Sequence, residues 1–147
     1  MYIVSACLAG VKCRYDGRDN TCEKVVKLVE EGKAISVCPE VFGELPIPRK
    51  PCEIVKDADG LEKVLSETGE EYTSEFIIGA EKTLEIARVL NAQVAILKAK
   101  SPSCGCGKIY DGNFNGTLVD GDGLTTRLLK KNNIKVYTEK EIDTVID

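Results

Sequence analysis

The sequence predicts one α/β domain of the Rossmann-like kind over residues 1–147, with a parallel sheet of about four strands and helices on both faces. Three observations predict it. Four short apolar runs recur along the chain, each bounded by polar or turn-forming residues. Amphipathic stretches lie between them, and apolar strands alternating with helices form a sheet buried on both sides. Every interval exceeds the roughly dozen residues that a right-handed crossover between parallel strands needs.

The elements follow in order. MYIVSAC reads as a buried strand, and the Gly-, Asp- and Asn-rich ACLAGVKCRYDGRDN as loop. From Thr21, Val25, Val26, Leu28 and Val29 recur at helical spacing; Thr21 is placed to cap this helix and Gly32 to end it. Ala34–Cys38 is the second apolar strand. PEVFGELPIPRKPCEIV carries four prolines, so it is expected to be an ordered loop. Residues 57–72 are polar and turn-rich, a hairpin or a flexible lid. Thr73 opens a long helix whose stripe is Phe76, Ile77, Ala80, Leu84, Ala87, Val89 and Leu90, with Asn91 to close it. Val94–Lys98 is the third strand, followed by a long glycine-rich loop. A helix over Leu124–Lys131, a fourth strand over Ile134–Thr138 and a short helix after Glu139 complete the order.

Composition narrows the function. The 147 residues carry a net charge of −4, with 43% hydrophobic and 30% charged residues, ordinary for a globular domain. No stretch approaches the ~18 apolar residues of a membrane span. The opening MYIVSACLAG has no basic start, so no export signal is expected and the chain reads as cytoplasmic, where thiols stay reduced. The acidic balance disfavours nucleic acid as a partner but leaves room for a small anionic ligand. There is no histidine, which removes the commonest general base and the Ser-His and Cys-His nucleophile pairs. Against this stand seven cysteines, an odd number that cannot all pair within the chain. Many thiols without histidine favour a thiolate-bound metal or an iron–sulfur cluster over a disulfide scaffold.

Cys7 and Cys38 lie at the ends of the first and second predicted strands, and Cys104 a few residues beyond the third. A parallel sheet puts all its strand carboxyl ends on one edge, where ligands bind. Three thiols far apart in sequence are thereby expected at one place, suited to a cluster with three protein ligands and one iron left open. Cys13 and Cys106 lie in loops near the same edge, each a fourth ligand, a redox partner or a plain loop residue. Cys22 and Cys52 read as packing residues. Cys104 and Cys106 are too close for a C-x₂₋₄-C zinc pair, and a zinc ribbon is disfavoured.

Other residues near that edge bear on chemistry. Glu40, two residues after Cys38, is a proton-shuttle candidate or a surface glutamate. Ser101 and Ser103 flank Pro102, to position a substrate or to hold a turn. CRYDG (13–17) and KIYDG (108–112) are alike: Tyr15 and Tyr110 are candidates to stack on a base, with Asp16 and Asp111 at its edge, or are packed turn residues. VDGDG (119–123) enters a helix and offers backbone N–H groups for a phosphate, a weak signal alone.

CLAGVKCRYDG, VCPEVFGELPIPR, TSEFIIGA, LKAKSPSCG with IYDGNFNGTL, and GDGLTTRLL occur in this order, and together they resemble the TudS-like thiouracil desulfidases. The resemblance covers about residues 3–138. It implies a [4Fe-4S] enzyme whose three cysteine ligands are Cys7, Cys38 and Cys104, with one open iron. It implies sulfur removal from thiolated pyrimidines, as the free base or as 4-thiouridine-5′-monophosphate from tRNA turnover. Glu40 and Ser101 are the implied acid/base and positioning groups, and Ser103, Tyr15 and Tyr110 the substrate-binding candidates. Glu44 stands where the pattern has glycine, which leaves open which carboxylate acts. The implied route is hydrolytic: the open iron polarises C=S, Glu40 or Ser101 assists a water, and hydrogen sulfide leaves. The alternative from another class is an iron–sulfur electron-transfer or redox-sensing protein, which would require a fourth ligand.

Overall fold

The computed structural model describes residues 1–146. Four strands, β1 (Tyr2–Ser5), β2 (Ala34–Val37), β5 (Val94–Leu97) and β8 (Lys135–Thr138), form one parallel sheet in the order β2-β1-β5-β8. Registers are direct, with Tyr2 opposite both Ala34 and Val94. The predicted sheet is thus the observed one. Two two-stranded antiparallel hairpins accompany it: β3 (Cys52–Lys56) with β4 (Glu62–Ser66), and β6 (Lys108–Tyr110) with β7 (Leu118–Asp120).

Alternation along the strands separates two cores. Ile3, Val37, Ala95, Leu97 and Val136 face helices α3 (Thr73–Val89) and α4 (Leu124–Lys131), meeting Leu84, Ala87 and Leu129. Val4, Ala34 and Ile96 face the other way, against Val25 and Leu28 of α1 (Glu23–Glu30) and Ile142 of α5 (Ile142–Val145). Each such fully buried aliphatic side chain contributes about 1.5–3 kcal/mol, which fixes both faces of the sheet. Leu45, Ile54, Val64, Phe76 and Ile109 form a third cluster beneath the hairpins.

Several local expectations change. Within the proline-rich segment, Pro39–Phe42 forms a one-turn helix, α2, because Pro39 at its first position is preset for helical φ. Residues 57–72 are no lid: β4 pairs with β3, and Tyr72 N–H donates to the Val64 carbonyl. Thr21 does not cap α1; its hydroxyl donates to Asp19 at 2.7 Å and the helix starts after Cys22. Gly32 (φ 71°) and Asn91 (φ 53°) do end their helices in the left-handed region.

Two glycines set the position of α2. A Cβ on Gly43 would lie 2.0 Å from the Glu75 carbonyl oxygen, and one on Gly79 would lie 1.9 Å from that of Pro39. Backbones of α2 and α3 therefore touch directly, and Cys38, the residue that starts α2, is held against the sheet edge.

Candidate active site

The sheet changes direction of winding between β1 and β5, and the crevice outside that switch point is where α/β sheets bind ligands. Ser5, the last residue of β1, stitches the crevice together. Its Oγ accepts the Lys98 N–H at 2.9 Å and donates to Cys104 Sγ at 3.4 Å. Cys7 lies in a 3-10 turn (Ala6–Ala9) directly after β1, and Cys38 directly after β2.

All three thiols line one cavity of about 460 Å³. Burial pushes the Cys7 thiol up, helped by the proximity of Cys38. Cys104, almost wholly buried, is pushed up to about 12 by burial, with Cys7 and Cys38 adding to it. Cys38 goes the other way, down to about 7, because a hydrogen bond with Cys13 favours its thiolate. The three sulfurs feel one another, yet among the described residues no three His, Cys, Asp or Glu groups are close enough to hold a single ion. A sulfur-only donor set drawn from three strand ends and spread around a cavity fits a polynuclear iron–sulfur group.

A hydrogen-bonded line runs into this cavity. The Cys104 N–H donates to Ser101 Oγ at 2.7 Å, Ser101 and Ser103 hydroxyls are 3.3 Å apart, and Ser103 Oγ donates to Glu40 Oε2 at 2.8 Å. A hydroxyl has one proton, so with Ser103 donating to Glu40, Ser101 must donate to Ser103. The order Ser101 to Ser103 to Glu40 ends on a carboxylate. Its other oxygen is held by Arg49 Nε at 3.2 Å, in a pair whose side chains are only 7% and 17% exposed. Arg49 also donates to the Cys13 and Pro46 carbonyls.

The SPSC loop is fixed from behind by α4. N–H groups of Leu124 and Thr125 donate to the Pro102 and Ser103 carbonyls at 2.8 and 3.0 Å, and Thr126 Oγ1 donates to the Cys104 carbonyl at 2.9 Å. Gly123 permits this, since a Cβ there would lie 2.5 Å from the Ser103 carbonyl carbon. The same bonds overturn the phosphate reading of the 119–123 run: those helix N-terminal amides serve the loop instead.

Glu40, Ser101, Ser103, Tyr15 and Tyr110 all line the cavity, as do the three cysteines. Asp16 and Asp111 do not; they hold Arg14 and the backbone of Asn113 in their own turns. Glu44 is exposed and outside the lining, with φ 71°, the conformation a glycine would take more easily. Lys98 and Lys100 line the cavity, Lys98 paired with Glu139 at 2.9 Å, whereas Lys108 pairs with Asp120 away from it. Cys106 turns to the Val136 carbonyl. Sequence reasoning missed Arg49 and Ser5 and left Cys13 undecided; Cys52, read as a packing residue, packs against the cluster beneath the hairpins and also borders the cavity. Arg49 carried one signal, as the cation of a proline-bounded turn close after a candidate carboxylate.

Fold and site define an α/β protein with a thiol-lined site at the switch point of its sheet. The chain belongs to the 2-thiouracil desulfurase family, whose model matches residues 2–141. It is similar to the uncharacterized protein YbbK of Bacillus subtilis (strain 168), 42% identical over 99% of this chain and 100% of that protein. It is also similar in structure to the [4Fe-4S]-dependent thiouracil desulfidase TudS, with TM-score 0.88 and 41% identity over 97% of this chain and 93% of that one.

Proposed function

We propose that this protein removes sulfur from thiouracil by hydrolysis, using a [4Fe-4S] cluster held by Cys7, Cys38 and Cys104. The observation that carries the reading is the meeting of those three thiols and the Ser101–Ser103–Glu40 line in one cavity of a family member. With three protein thiolates, one iron of the bound cluster keeps an open position and supplies a soft Lewis acid for a thiocarbonyl sulfur.

This chain's residues supply the rest. Glu40 takes a proton from the water that adds to the thiocarbonyl carbon, and Arg49 keeps its carboxylate aimed. Ser103 and Ser101 pass protons between Glu40 and the departing sulfur. The carbon gains the water oxygen, sulfur leaves as hydrogen sulfide, and no electron is gained or lost overall. Tyr15 and Tyr110 flank the pyrimidine. Lys98 and Lys100 on the cavity wall suit a phosphate. The reading therefore extends to 4-thiouridine-5′-monophosphate.

The test is anaerobic reconstitution with iron and sulfide, followed by sulfide release from 2-thiouracil and from 4-thiouridine-5′-monophosphate. Release by the wild type, abolished in Cys7→Ala, Cys38→Ala and Cys104→Ala but kept in Cys106→Ala, supports it. A wild type that binds four irons yet releases no sulfide from either compound sinks it, and an electron-transfer role takes its place.

A further inference from the structure

Glu53, the second residue of β3, is only 8% exposed and lines the thiol cavity. Its two oxygens are used differently. Oε1 accepts the Gly112 N–H at 2.9 Å and the Phe114 N–H at 3.2 Å, which fastens the turn of the β6–β7 hairpin to β3. That turn also lies directly on β3: a Cβ on Gly112 would sit 2.7 Å from the Ile54 carbonyl oxygen. Oε2 has no hydrogen-bond partner among the described residues, yet it is not walled in; the enclosed side-chain atom without a partner is Thr125 Oγ1. A carboxylate taken mostly out of water with one oxygen unbonded carries a desolvation cost that a ligand's donor would offset.

The neighbours of Glu53 define what that donor is. Tyr110 and Gly116 of the same hairpin line the cavity, and Lys100 pairs with Ile109 as an isolated parallel bridge, so the loop after β5 and the hairpin form one wall. The thiols and the Ser101–Ser103–Glu40 line stand at the edge of the parallel sheet and suit the sulfur end of a thiopyrimidine. Glu53 comes instead from the hairpin side, with Tyr110 for the ring and Lys100 for a phosphate. Between ring and phosphate of a nucleotide lies the ribose, whose 2′- and 3′-hydroxyls are donors. A carboxylate oxygen is an acceptor only, with two lone pairs, and repels a phosphate. Acidic side chains take ribose hydroxyls in this way in dinucleotide-binding α/β folds. Resting on the nucleotide reading above, we propose that Glu53 is a specificity-determining residue: Oε1 holds the hairpin, Oε2 accepts hydrogen bonds from the ribose hydroxyls, and the site thereby selects a ribonucleotide.

The experiment measures binding by calorimetry on the reconstituted protein, with uridine-5′-monophosphate and its 2′,3′-dideoxy analogue as probes. Neither probe carries sulfur, so the readout needs no turnover. Glu53→Gln keeps a carbonyl oxygen for the Gly112 and Phe114 N–H groups and puts an amide nitrogen, a donor, where Oε2 was. We expect the wild type to bind uridine-5′-monophosphate about ten- to hundredfold tighter than the dideoxy analogue, the range for a hydrogen bond to a charged group. In Glu53→Gln that preference narrows. Affinity for uridine-5′-monophosphate falls about tenfold as a charge-assisted bond becomes a neutral one, and the dideoxy analogue binds as to wild type. Equal losses for both nucleotides would make Glu53 a brace for the hairpin alone and overturn the proposal. A wild type that binds the two alike, or binds neither, overturns it without any variant, which keeps the test valid if Glu53→Gln does not fold. Sulfide release from 4-thiouridine-5′-monophosphate is read in parallel. Its absence beside an intact preference fails the desulfidation reading and leaves the Glu53 contact standing.

Discussion

Ser103 Oγ donates to Glu40 Oε2 at 2.8 Å, across 63 residues of chain. The bond ties the loop after β5 to the start of α2, so the carboxylate that follows Cys38 and the hydroxyl that precedes Cys104 form one unit. Arg49 on the other oxygen leaves the carboxylate little freedom to turn. A group so held is preorganised to take a proton at one atom, which is where general bases derive their advantage.

Glu40→Gln keeps the shape and the Ser103 contact but removes the base. Sulfide release should fall about 10²–10⁴-fold, the usual contribution of a positioned acid or base. Iron content should match wild type, because the amide fills the same space as the carboxylate it replaces. Equal activity in the two proteins, by single-turnover assay, would remove Glu40 from the chemistry.

The two serines should separate. Ser103→Ala cuts the line between Ser101 and Glu40 while leaving the Cys104 N–H bonded to Ser101. Ser101→Ala leaves that buried N–H without its acceptor, at a cost of about 1–3 kcal/mol. Turnover should drop in both, whereas the thermal midpoint should drop chiefly in Ser101→Ala. Identical melting curves for the two variants would contradict this division.

Gly79→Ala tests whether α2 is placed by backbone contact. Its Cβ would overlap the Pro39 carbonyl oxygen at 1.9 Å, so the helices must part. Overpacking of this kind costs about 1–3 kcal/mol. Because the displaced helix starts at Cys38 and carries Glu40, sulfide release should suffer beyond what the lost stability explains. Folded Gly79→Ala protein with full activity would show that α2 can shift freely.

The sheet was legible because its strands are short, largely apolar runs, the central β1 and β5 buried on both faces, a signal independent of their neighbours. Cys7, Cys38 and Cys104 were legible for a related reason: parallel strands bring their carboxyl ends to one edge whatever the loops do. Of the two hairpins, the turn-rich 57–72 segment announced the first as one of two alternatives, although β3 begins directly behind a proline; the second was hidden, because β7 is exposed at all three residues and shows no buried pattern. Arg49 and Cys13 depend on where two loops fold back. Asn20 N–H donates to the Cys7 carbonyl at 2.9 Å and Arg49 N–H to that of Tyr15 at 2.7 Å, contacts that leave no periodic trace in the sequence.

The pair Arg127–Glu62 makes acid sensitivity testable away from the site. Arg127 Nη1 and Nη2 reach Glu62 Oε1 and Oε2 at 2.8 and 3.0 Å, joining α4 to the β3–β4 hairpin. That guanidinium holds Glu62 below its ordinary value of 4.5. A carboxylate lowered on folding contributes its full stability above the unfolded value, and the contribution is lost as pH falls through the folded one. Both side chains are about one-third exposed, at 36% and 33%, so solvent screens the pair. Its worth is then about 0.5–1 kcal/mol, at the upper end for surface pairs because both oxygens are engaged. Glu62→Gln should unfold more easily than wild type at pH 7 by that amount, measured in urea, and the gap should close below Glu62's folded value and shrink in high salt. A gap that persists under acid would assign the difference to packing instead of charge.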